Sequence, residues 1–412
     1  MAELSVEVAG IKFKNPIWVA SGEPTSTYDK IKRGIDAGAG AVVAKSYCAA
    51  YTTGHETKRP FPLAKFCILG YDRKPVTGKN IPKFYTNYCR SGVIQWCRDD
   101  EDQWVELLGK AQKYASQSDS YVVGSIFGSK VIDDMTRFAK KMEQAGLKML
   151  EVDLGCPNVE KMVEKGALLK VAQDYFTVTR EICKSVSIPV FIKLSPQQAD
   201  LAATSKGVKE VGGAGVTCMN RVLGLAIDID NARPFIWGWA GVGGPWMLPI
   251  SIGWVSRISE TVPGFPIVGS NGVYDWQDVV QFHMAGASAV QICSTVMVKG
   301  YSMLKQTIEG LNGFLNAKGY RSVQDIIGVA TKASINYDQM YRTPEYREKA
   351  VVDPEKCIDC GKCLEVCWFE AMQENDGVCQ VDENICQGCY NCRVVCPIEG
   401  CVTMKPAASL VK

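Results

Sequence analysis

Histidine is the scarcest chemically useful residue of this chain, which has only two among 412 residues, His55 and His283. His283 stands within the helical stretch VVQFHMAGA, between apolar runs, where a histidine more often packs than catalyses. Any proton chemistry is therefore expected to use another side chain. A thiol, with an ordinary pKa of about 8.5, is one candidate for a general acid.

Three other features are missing. The net charge is only +2 and no basic block occurs, so we expect no nucleic-acid partner. No apolar run approaches the roughly 20 residues that span a bilayer, so we expect no membrane segment. The first residues, MAELSVEVAGIKFKNP, lack the basic and apolar regions of a signal peptide, and we expect a cytoplasmic protein.

Cysteine, in contrast, is abundant. Eight of the 18 cysteines form two copies of C-x2-C-x2-C-x3-C near the C-terminus. Three thiolates at this spacing converge from one loop on neighbouring irons, and the fourth reaches the other cluster. The sequence therefore predicts two [4Fe-4S] clusters, with the ligand sets Cys357, Cys360, Cys363 and Cys396 for one and Cys386, Cys389, Cys392 and Cys367 for the other.

Structural zinc and disulfides are the alternatives to these clusters. Zinc sites pair two C-x2-C elements without the third cysteine, and disulfide frameworks belong to small secreted domains. The other ten cysteines follow no pairing pattern, which indicates a reducing cytosol. Both alternatives fit the repeated pattern less well than clusters do.

Short, nearly continuous apolar runs recur along the chain, each followed by a segment of helical period such as Asp133–Gln144 or Gln173–Val186. Parallel strands buried on both faces have this composition. Eight such β/α repeats predict a (β/α)8 barrel, and the lack of G-x-G-x-x-G after the first run disfavours an open doubly wound sheet. The runs are Pro16–Ser21, Ala41–Ser46, Tyr121–Phe127, Met149–Cys156, Pro189–Ser195, Gly215–Asn220, Pro266–Ser270 and Ala289–Ser294.

The chain is too long for one compact core, so a second domain is expected. We predict an α/β TIM barrel over residues 1–312, a linker over 313–351 and a ferredoxin-like α+β domain over 352–412. The segment LSVEVAGIKFKNP is expected to form a hairpin across the barrel floor.

Two lysines, Lys45 and Lys193, end the second and fifth runs, and the carboxyl ends of barrel strands form the active face. In a nearly uncharged cavity each needs an anionic partner, because an isolated buried charge is costly. The N1–O2 edge of a reduced flavin is such a partner. A solvated lysine at the start of a loop is the alternative.

Two other strand ends carry candidate chemistry. Cys156, in DLGCPN, stands in a polar loop, where it could be a nucleophile, a proton donor or an inert packing residue. Cys183 and Cys218 lie in periodic apolar segments and fit an inert role better. The ends of runs seven and eight, Gly269–Gly272 and Cys293–Thr295, stand where such barrels often bind a phosphate group through backbone N–H groups.

The motifs DLGCPN, FIKLSP and GSNGV, together with CIDCGKC and CQGCYNC, resemble the dihydroorotate dehydrogenase superfamily. The closest resemblance is to the FMN and iron–sulfur subunit of bacterial dihydropyrimidine dehydrogenase, and it extends over nearly the whole chain. The resemblance implies FMN as cofactor and gives each matching position a role. Flavin contacts are implied for Ser21, Lys45, Lys193, Gly243 and Gly244, phosphate contacts for Asn271, Gly272, Ser294 and Thr295, proton exchange for Cys156, and substrate contacts for Asn87, Asp153, Asn158 and Asn220.

The sequence departs from the family pattern at the substrate site. The usual asparagine of N-L-S-C-P is Asp153, the serine is Gly155, and the threonine after Asn220 is Arg221. An ionised carboxylate only accepts hydrogen bonds, and a guanidinium suits a carboxylate, so Arg221 is a candidate substrate contact and uracil or thymine is disfavoured. Asp153 and Arg221 pairing with each other is the alternative. A more aromatic pocket, or subunit packing, is expected from three tryptophans, Trp237, Trp239 and Trp246.

These features predict an FMN- and iron–sulfur-dependent oxidoreductase that reduces or forms an activated C=C bond of a small cyclic or conjugated substrate. Electrons are expected to pass from an external donor through both clusters to FMN, with Lys193 and Cys156 as catalytic residues. The donor is expected to be an FAD/NAD(P)H-dependent subunit or a ferredoxin, attached to a homodimeric core. The alternative is a flavin and iron–sulfur electron-transfer subunit without its own small-molecule turnover.

Overall fold

The computed structural model describes residues 2–47, 65–72, 74–76, 81–90, 101–127, 132–155, 172–236, 238–343 and 346–406. The chain divides into two compact units, Met1–Lys332 and Ala333–Lys412.

The first unit contains sixteen strands among its described residues, most of them short. In chain order they are β1 (Val6–Val8), β2 (Ile11–Phe13), β3 (Ile17–Val19), β4 (Ala41–Val43), β5 (Lys65–Leu69), β6 (Thr86–Arg90), β7 (Tyr121–Phe127), β8 (Leu150–Asp153), β9 (Val190–Lys193), β10 (Gly215–Cys218), β11 (Val222–Gly224), β12 (Ile227–Asp228), β13 (Arg233–Pro234), β14 (Ala240–Gly243), β15 (Ile267–Ser270) and β16 (Ala289–Ile292).

Helices alternate with the barrel strands. They are α1 (Tyr28–Asp36), α2 (Glu101–Ala115), α3 (Ile132–Gln144), α4 (Ala172–Ser185), α5 (Leu201–Glu210), α6 (Leu248–Thr261), α7 (Trp276–Met284), α8 (Ser294–Lys299), α9 (Ser302–Lys318) and α10 (Val329–Ala333). Within the described parts of the chain, no helix is both long enough and apolar enough to cross a membrane.

Eight parallel strands close into a barrel in the order β3, β4, β7, β8, β9, β10, β15, β16, with β16 pairing back to β3. The eight runs predicted from the sequence are these strands, and the (β/α)8 fold is confirmed. Nearly every strand residue is buried, as in β4 and β9, because helices cover the outer face and side chains fill the interior.

The predicted hairpin is also present. Strands β1 and β2 pair antiparallel, with Val6 opposite Phe13, and the buried side chains of Val6, Val8 and Phe13 belong to the barrel core. The Phe13 ring lies 4.6 Å from that of Trp18 on β3.

A four-stranded antiparallel sheet, ordered β11, β14, β6, β5, stands beside the barrel. It was not predicted from the sequence. It pairs Asn87 of β6 with Gly243 of β14. This sheet, and not a barrel strand, is what positions Asn87 at the active face.

The boundary between the units differs from the predicted one at residue 312. Helix α9 runs through that point, and Leu311 and Leu315 on its inner side are fully buried in the barrel core. Val323 and Ile326 continue the same core. The polar composition that indicated a linker belongs to the outward face of these elements, so the barrel unit extends to Lys332.

The second unit is α+β. Its described strands are β17 (Glu348–Val352), β18 (Met372–Asn375), β19 (Val378–Val381) and β20 (Val402–Pro406), and its helices are α11 (Tyr337–Arg342), α12 (Lys362–Glu365) and α13 (Asn391–Val395). Two antiparallel pairs form, β17 with β20 and β18 with β19.

Candidate active site and cluster cavities

A cleft opens where the barrel strands end. Strands β3, β4, β8, β9, β10, β15 and β16 all contribute residues from their carboxyl ends, as expected for the active face of this fold. The cleft brings together ten of the residues singled out from the sequence, namely Ser21, Lys45, Asn87, Asp153, Lys193, Asn220, Arg221, Asn271, Gly272 and Ser294.

Three other candidates lie outside this lining, although they are close to it. The Thr295 hydroxyl donates to the carbonyl of Val273 and is buried. Gly243 and Gly244 follow one another at the end of β14. Cys156 and Asn158 lie outside the described residues, which end just before them at Gly155.

Two glycines are required where the backbone passes closely. A Cβ on Gly272 would lie 2.5 Å from the Leu248 nitrogen, and one on Gly244 would lie 2.4 Å from the Tyr85 carbonyl oxygen. Both residues also have positive φ, +97° and +131°. Packing of the chain against itself therefore explains Gly244 without any ligand contact.

A buried ionic network crosses the barrel below the cleft. The Lys193 Nζ lies 3.3 Å from Glu151 Oε1 and 3.4 Å from Gln291 Oε1. Thr217 and Gln291 donate to Glu151 Oε2 at 2.8 and 2.7 Å. The side chains of Lys193 and Glu151 are only 7% and 1% exposed. Burial alone would lower the pKa of Lys193, but the adjacent Glu151 and Asp153 carboxylates outweigh it and raise that pKa.

The second lysine also has a carboxylate partner, because Lys45 Nζ lies 3.3 Å from Glu23 Oε1. Burial would raise the pKa of Glu23, yet the charges of Lys45 and Arg221 lower it overall. The cleft is therefore not the nearly uncharged cavity assumed from the sequence. Each lysine is balanced by a protein carboxylate, so the need for a bound anion does not follow from burial alone.

Asp153 is held by its neighbours in the cleft. Its Oδ1 accepts hydrogen bonds from Asn220 Nδ2 at 2.9 Å and from the Gly155 backbone N–H at 3.0 Å. Burial raises the pKa of Asp153, and the opposing charge of Lys193 limits the rise. Asn220 Oδ1 in turn accepts from the backbone N–H of Arg221, so these three residues form one ordered edge of the cleft.

Asn87 differs from the other described polar residues that line the cleft. It is only 1% exposed, and neither its Oδ1 nor its Nδ2 has a hydrogen-bond partner among the described residues. A buried amide without partners costs on the order of 1–3 kcal/mol. Because Asn87 lines the cleft, a bound molecule is the natural source of the missing hydrogen bonds.

Several cleft residues were not identified from the sequence. They include Glu23 and Ser46, whose hydroxyl lies 3.0 Å from that of Ser21 and 2.8 Å from that of Ser125, and Glu151 lies just outside the lining as the partner of Lys193. A signal for Glu151 existed, since it is the one acidic residue inside the apolar run MLEV.

The tryptophans predicted to enlarge the pocket do not line it as far as the chain is described. Trp239 is 50% exposed, and Trp246, 37% exposed, donates through Nε1 to the Gly243 carbonyl at 3.1 Å. Trp237 lies outside the described residues.

The histidine and the two cysteines that the sequence assigned to packing have environments that fit this role. His283 is fully buried, its Nδ1 lies 2.8 Å from the Ala287 carbonyl oxygen, and burial lowers its pKa to about 4. Burial raises the pKa of Cys183 to about 11, and that of Cys218 still further. These three residues stay neutral near pH 7. His55 lies outside the described residues.

The second unit contains two cavities lined by cysteine. One is lined by Cys357, Cys360, Cys363 and Cys396, and the other by Cys367, Cys386, Cys389 and Cys392. These are the two crossed sets predicted from the spacing. Four thiols around one small apolar cavity are the donor set that a [4Fe-4S] cluster requires. The first cavity has two further cysteines, Cys379 and Cys401, which were not predicted to belong to it.

Comparison with known families supports both parts of this description. The dihydroorotate dehydrogenase model matches residues 101–315, more than half of the chain. A 4Fe-4S dicluster domain model matches residues 350–404. The chain belongs to the dihydroorotate dehydrogenase family.

Three relatives within the family illustrate the likeness. Each is named as the catalytic subunit of dihydroorotate dehydrogenase B (NAD(+)). The protein of Pyrococcus furiosus is 31% identical over 80% of this chain and 99% of its own length. The proteins of Methanocaldococcus jannaschii and Thermoplasma acidophilum are 30% and 28% identical, over 79% and 81% of this chain and 98% and 100% of their own lengths.

Membership of the dihydroorotate dehydrogenase family makes the chain a flavoprotein oxidoreductase that acts on CH–CH groups. The relatives are matched over almost their full lengths, yet about a fifth of this chain remains unmatched. That excess agrees in size with the second unit, Ala333–Lys412, which contains the 4Fe-4S domain.

Proposed function

We propose that the protein uses FMN and two [4Fe-4S] clusters to reduce, or to form, an activated C=C bond in a small cyclic or conjugated substrate. The observation that carries this proposal is Asn87. Its buried amide has one donor group and one acceptor group free among the described residues, at the cleft. A ring amide offers the complementary acceptor and donor.

The described residues fit a flavin. Ser21, Lys45 and Lys193 would lie along the ring system. The left-handed backbone at Asn271 and Gly272, with Ser294, would receive the phosphate through backbone N–H groups. When bound, FMN exchanges a hydride with carbon and single electrons with the clusters.

The chain's own residues would then have distinct roles. Asn87, Asn220 and Asp153 would orient the substrate ring, and Lys193, fixed by Glu151, would hold positive charge beside the flavin and stabilise its reduced form. Cys156 would exchange the proton on the carbon next to the one that exchanges hydride. Asn158, two residues beyond it in sequence, would also contact the substrate.

Each cluster would be held by one crossed set of cysteines. Clusters of this kind carry one electron at a time, so they would connect the barrel to an external donor or acceptor. An FAD/NAD(P)H-dependent subunit or a ferredoxin suits this role. The words "catalytic subunit" in the relatives' names support such an attached partner, and we place it on a homodimeric core.

Two substrate classes compete within this proposal. The resemblance at FIKLSP and GSNGV supports a dihydropyrimidine dehydrogenase-like reaction on a neutral pyrimidine, whereas Asp153 and Arg221 depart from the pattern for that substrate. The relatives' names and the cationic Arg221 at the cleft support a dihydroorotate-like substrate bearing a carboxylate. Glu23 lies within the electrostatic reach of Arg221 and would be displaced from it by a substrate carboxylate.

Reoxidation of the reduced protein tests the proposal. The holoprotein is reduced without oxygen and mixed separately with uracil, thymine, orotate, enoates and cyclic acids, while flavin absorbance is followed. We expect rapid reoxidation by orotate or another conjugated cyclic acid and slow reoxidation by uracil or thymine. Rapid reoxidation by the neutral pyrimidines would favour the dihydropyrimidine reaction.

Asn87→Leu provides the matched variant for the same experiment. It should bind flavin normally but be reoxidised at least tenfold more slowly at low substrate concentration. A flavin that no compound reoxidises, with clusters still reducible, would contradict substrate turnover and leave an electron-transfer role.

A further inference from the structure

The second unit consists of two halves with corresponding positions. A pair of equivalent backbone hydrogen bonds shows which positions correspond. Asp353 N donates to the Cys401 carbonyl at 2.7 Å, and Asp382 N donates to the Ala371 carbonyl at 2.7 Å. Asp353 and Asp382 each stand four residues before the first cysteine of a C-x2-C-x2-C-x3-C motif, which is Cys357 or Cys386. Cys401 therefore occupies in one half the position that Ala371 occupies in the other.

A second pair of positions corresponds in the same way. Cys379 on β19 and Ala350 on β17 each stand seven residues before the first cysteine of a C-x2-C-x2-C-x3-C motif. Both are 2% exposed. Cys379 lines the cavity of the first cysteine set, and Ala350 lines the cavity of the second.

The two cavities thus differ at matched positions. The first has thiols at Cys379 and Cys401, whereas the second has methyl groups at Ala350 and Ala371. A [4Fe-4S] cluster takes four cysteine ligands, and the crossed set already supplies four to the first cavity. The Cys379 and Cys401 thiols are therefore not needed as ligands, and they lie beside the ligands in the same cavity.

These neighbours touch the ligand sulfurs. The Cys379 thiol interacts with Cys363 and Cys357, and its backbone N–H is also directed at the Cys357 sulfur. The Cys401 thiol interacts with Cys396 and Cys357, although its S–H also has a competing acceptor, the Asp353 carbonyl oxygen, 3.8 Å from Sγ. Three of the four ligands in the first cavity thereby have an extra thiol as neighbour, and an S–H group is a weak hydrogen-bond donor.

We propose that Cys379 and Cys401 are potential-setting residues, whose S–H groups raise the reduction potential of the cluster in the first cavity above that of the cluster in the second. This inference rests on the proposed two-cluster function. Reduction adds negative charge to a cluster, and hydrogen bonds to its sulfurs stabilise that charge. The alanines of the second cavity supply no such donor.

A redox titration of the loaded full-length protein, followed by electron paramagnetic resonance, tests the inference. Cys379→Ala and Cys401→Ala should each lower the midpoint potential of one cluster and leave the other unchanged. The double variant should shift the oxidised-to-reduced ratio of that cluster by about tenfold, which is 59 mV for a one-electron couple. Cys379→Ser keeps a donor and should recover most of the potential.

Two variants of the second cavity test the inference even if the cysteine replacements fail to fold. Ala350→Cys and Ala371→Cys add a thiol to the second cavity and should raise the potential of the other cluster. Unshifted potentials in all these variants would overturn the inference.

Iron and sulfide analysis separates the possible failures. Full cluster content in Cys379→Ala and Cys401→Ala supports a role beside the ligands, and loss of half the iron in either would make that residue a ligand and overturn the inference. A wild-type chain with fewer than two clusters would contradict the proposed function as well. Two intact clusters with unchanged potentials would contradict only the role of the extra thiols.

Discussion

Lys193 and Glu151 form an ion pair inside the barrel, with Nζ and Oε1 3.3 Å apart and both side chains almost completely buried. Glu151 also accepts from Thr217 and Gln291, so strands β8, β9, β10 and β16 are tied together by one carboxylate. The pair fixes the lysine that faces the cleft, which is a positioning role for Glu151.

Replacing one member of this pair should lower the unfolding free energy more than replacing both members with apolar residues. Lys193→Met alone leaves a buried carboxylate without its cation, and Glu151→Leu leaves a buried cation. Each single variant is expected to lose about 3–5 kcal/mol of unfolding free energy, while the double variant recovers most of it. Urea unfolding of the flavin-free protein, followed by tryptophan fluorescence, measures the cycle. Additive losses would mean that the two side chains are not coupled.

Asn87 is expected to reduce stability in the absence of ligand. Because its amide is buried without partners among the described residues, Asn87→Leu should leave the unfolding free energy unchanged or raise it by about 1 kcal/mol. Substrate binding should weaken in the same variant. Thermal unfolding with and without substrate checks both effects, and a large loss of stability without ligand would show that the amide has a structural partner.

Cys156→Ala should separate proton transfer from electron transfer. The thiol is the proposed proton donor, so the variant should lose C=C reduction by roughly 10²–10⁴-fold while its flavin is still reduced at the normal rate. Stopped-flow reduction and reoxidation measure the two steps separately. Cys183→Ala, in a packing position of α4, is the control and should turn over normally. Unchanged turnover in Cys156→Ala would rule out the general-acid role.

The barrel could be predicted because its signal is local. Each strand is a short apolar run followed by a helical segment, and runs such as Tyr121–Phe127 coincide with the strand in the structure. The end of the barrel unit could not, because the chain beyond Leu315 of α9 is polar, as a linker is, although Leu311 and Leu315 themselves face inward. Their burial depends on what α9 packs against.

The site residues that could be predicted are those marked by a strand end or a motif, as for Lys193 and the cluster cysteines. The residues that pair with Lys193 could not be predicted. Glu151 and Gln291 are 140 residues apart in sequence and meet only when the barrel closes. Asn87 was identified by resemblance alone, because the added sheet that carries it has no periodic signal of its own. The charge balance of the cleft is likewise a tertiary property.

Gly272 provides a test of the backbone at the proposed phosphate site. Gly272→Ala would place a Cβ 2.5 Å from the Leu248 nitrogen at a φ of +97°, so it should lower stability by at least about 1–3 kcal/mol and weaken flavin binding. Gly313→Ala, exposed in α9 with nothing within 4 Å of the new Cβ, should instead add about 0.5–1 kcal/mol. Flavin titration and thermal unfolding of both variants would reveal whether the close approach matters.

His283 should make the barrel sensitive to mild acid. Its pKa is about 4 in the folded chain, below the ordinary value of 6.5, because the ring is buried and Nε2 has no partner among the described residues. The unfolded chain therefore binds the extra proton first, and stability should fall as the pH drops from about 6.5 towards about 4, by about 3 kcal/mol in total. His283→Asn keeps a donor for the Ala287 carbonyl but cannot take up a proton. The difference in unfolding free energy between wild type and variant should change by about 2.4 kcal/mol between pH 7 and pH 4.5, and a constant difference would show that His283 does not titrate in this range.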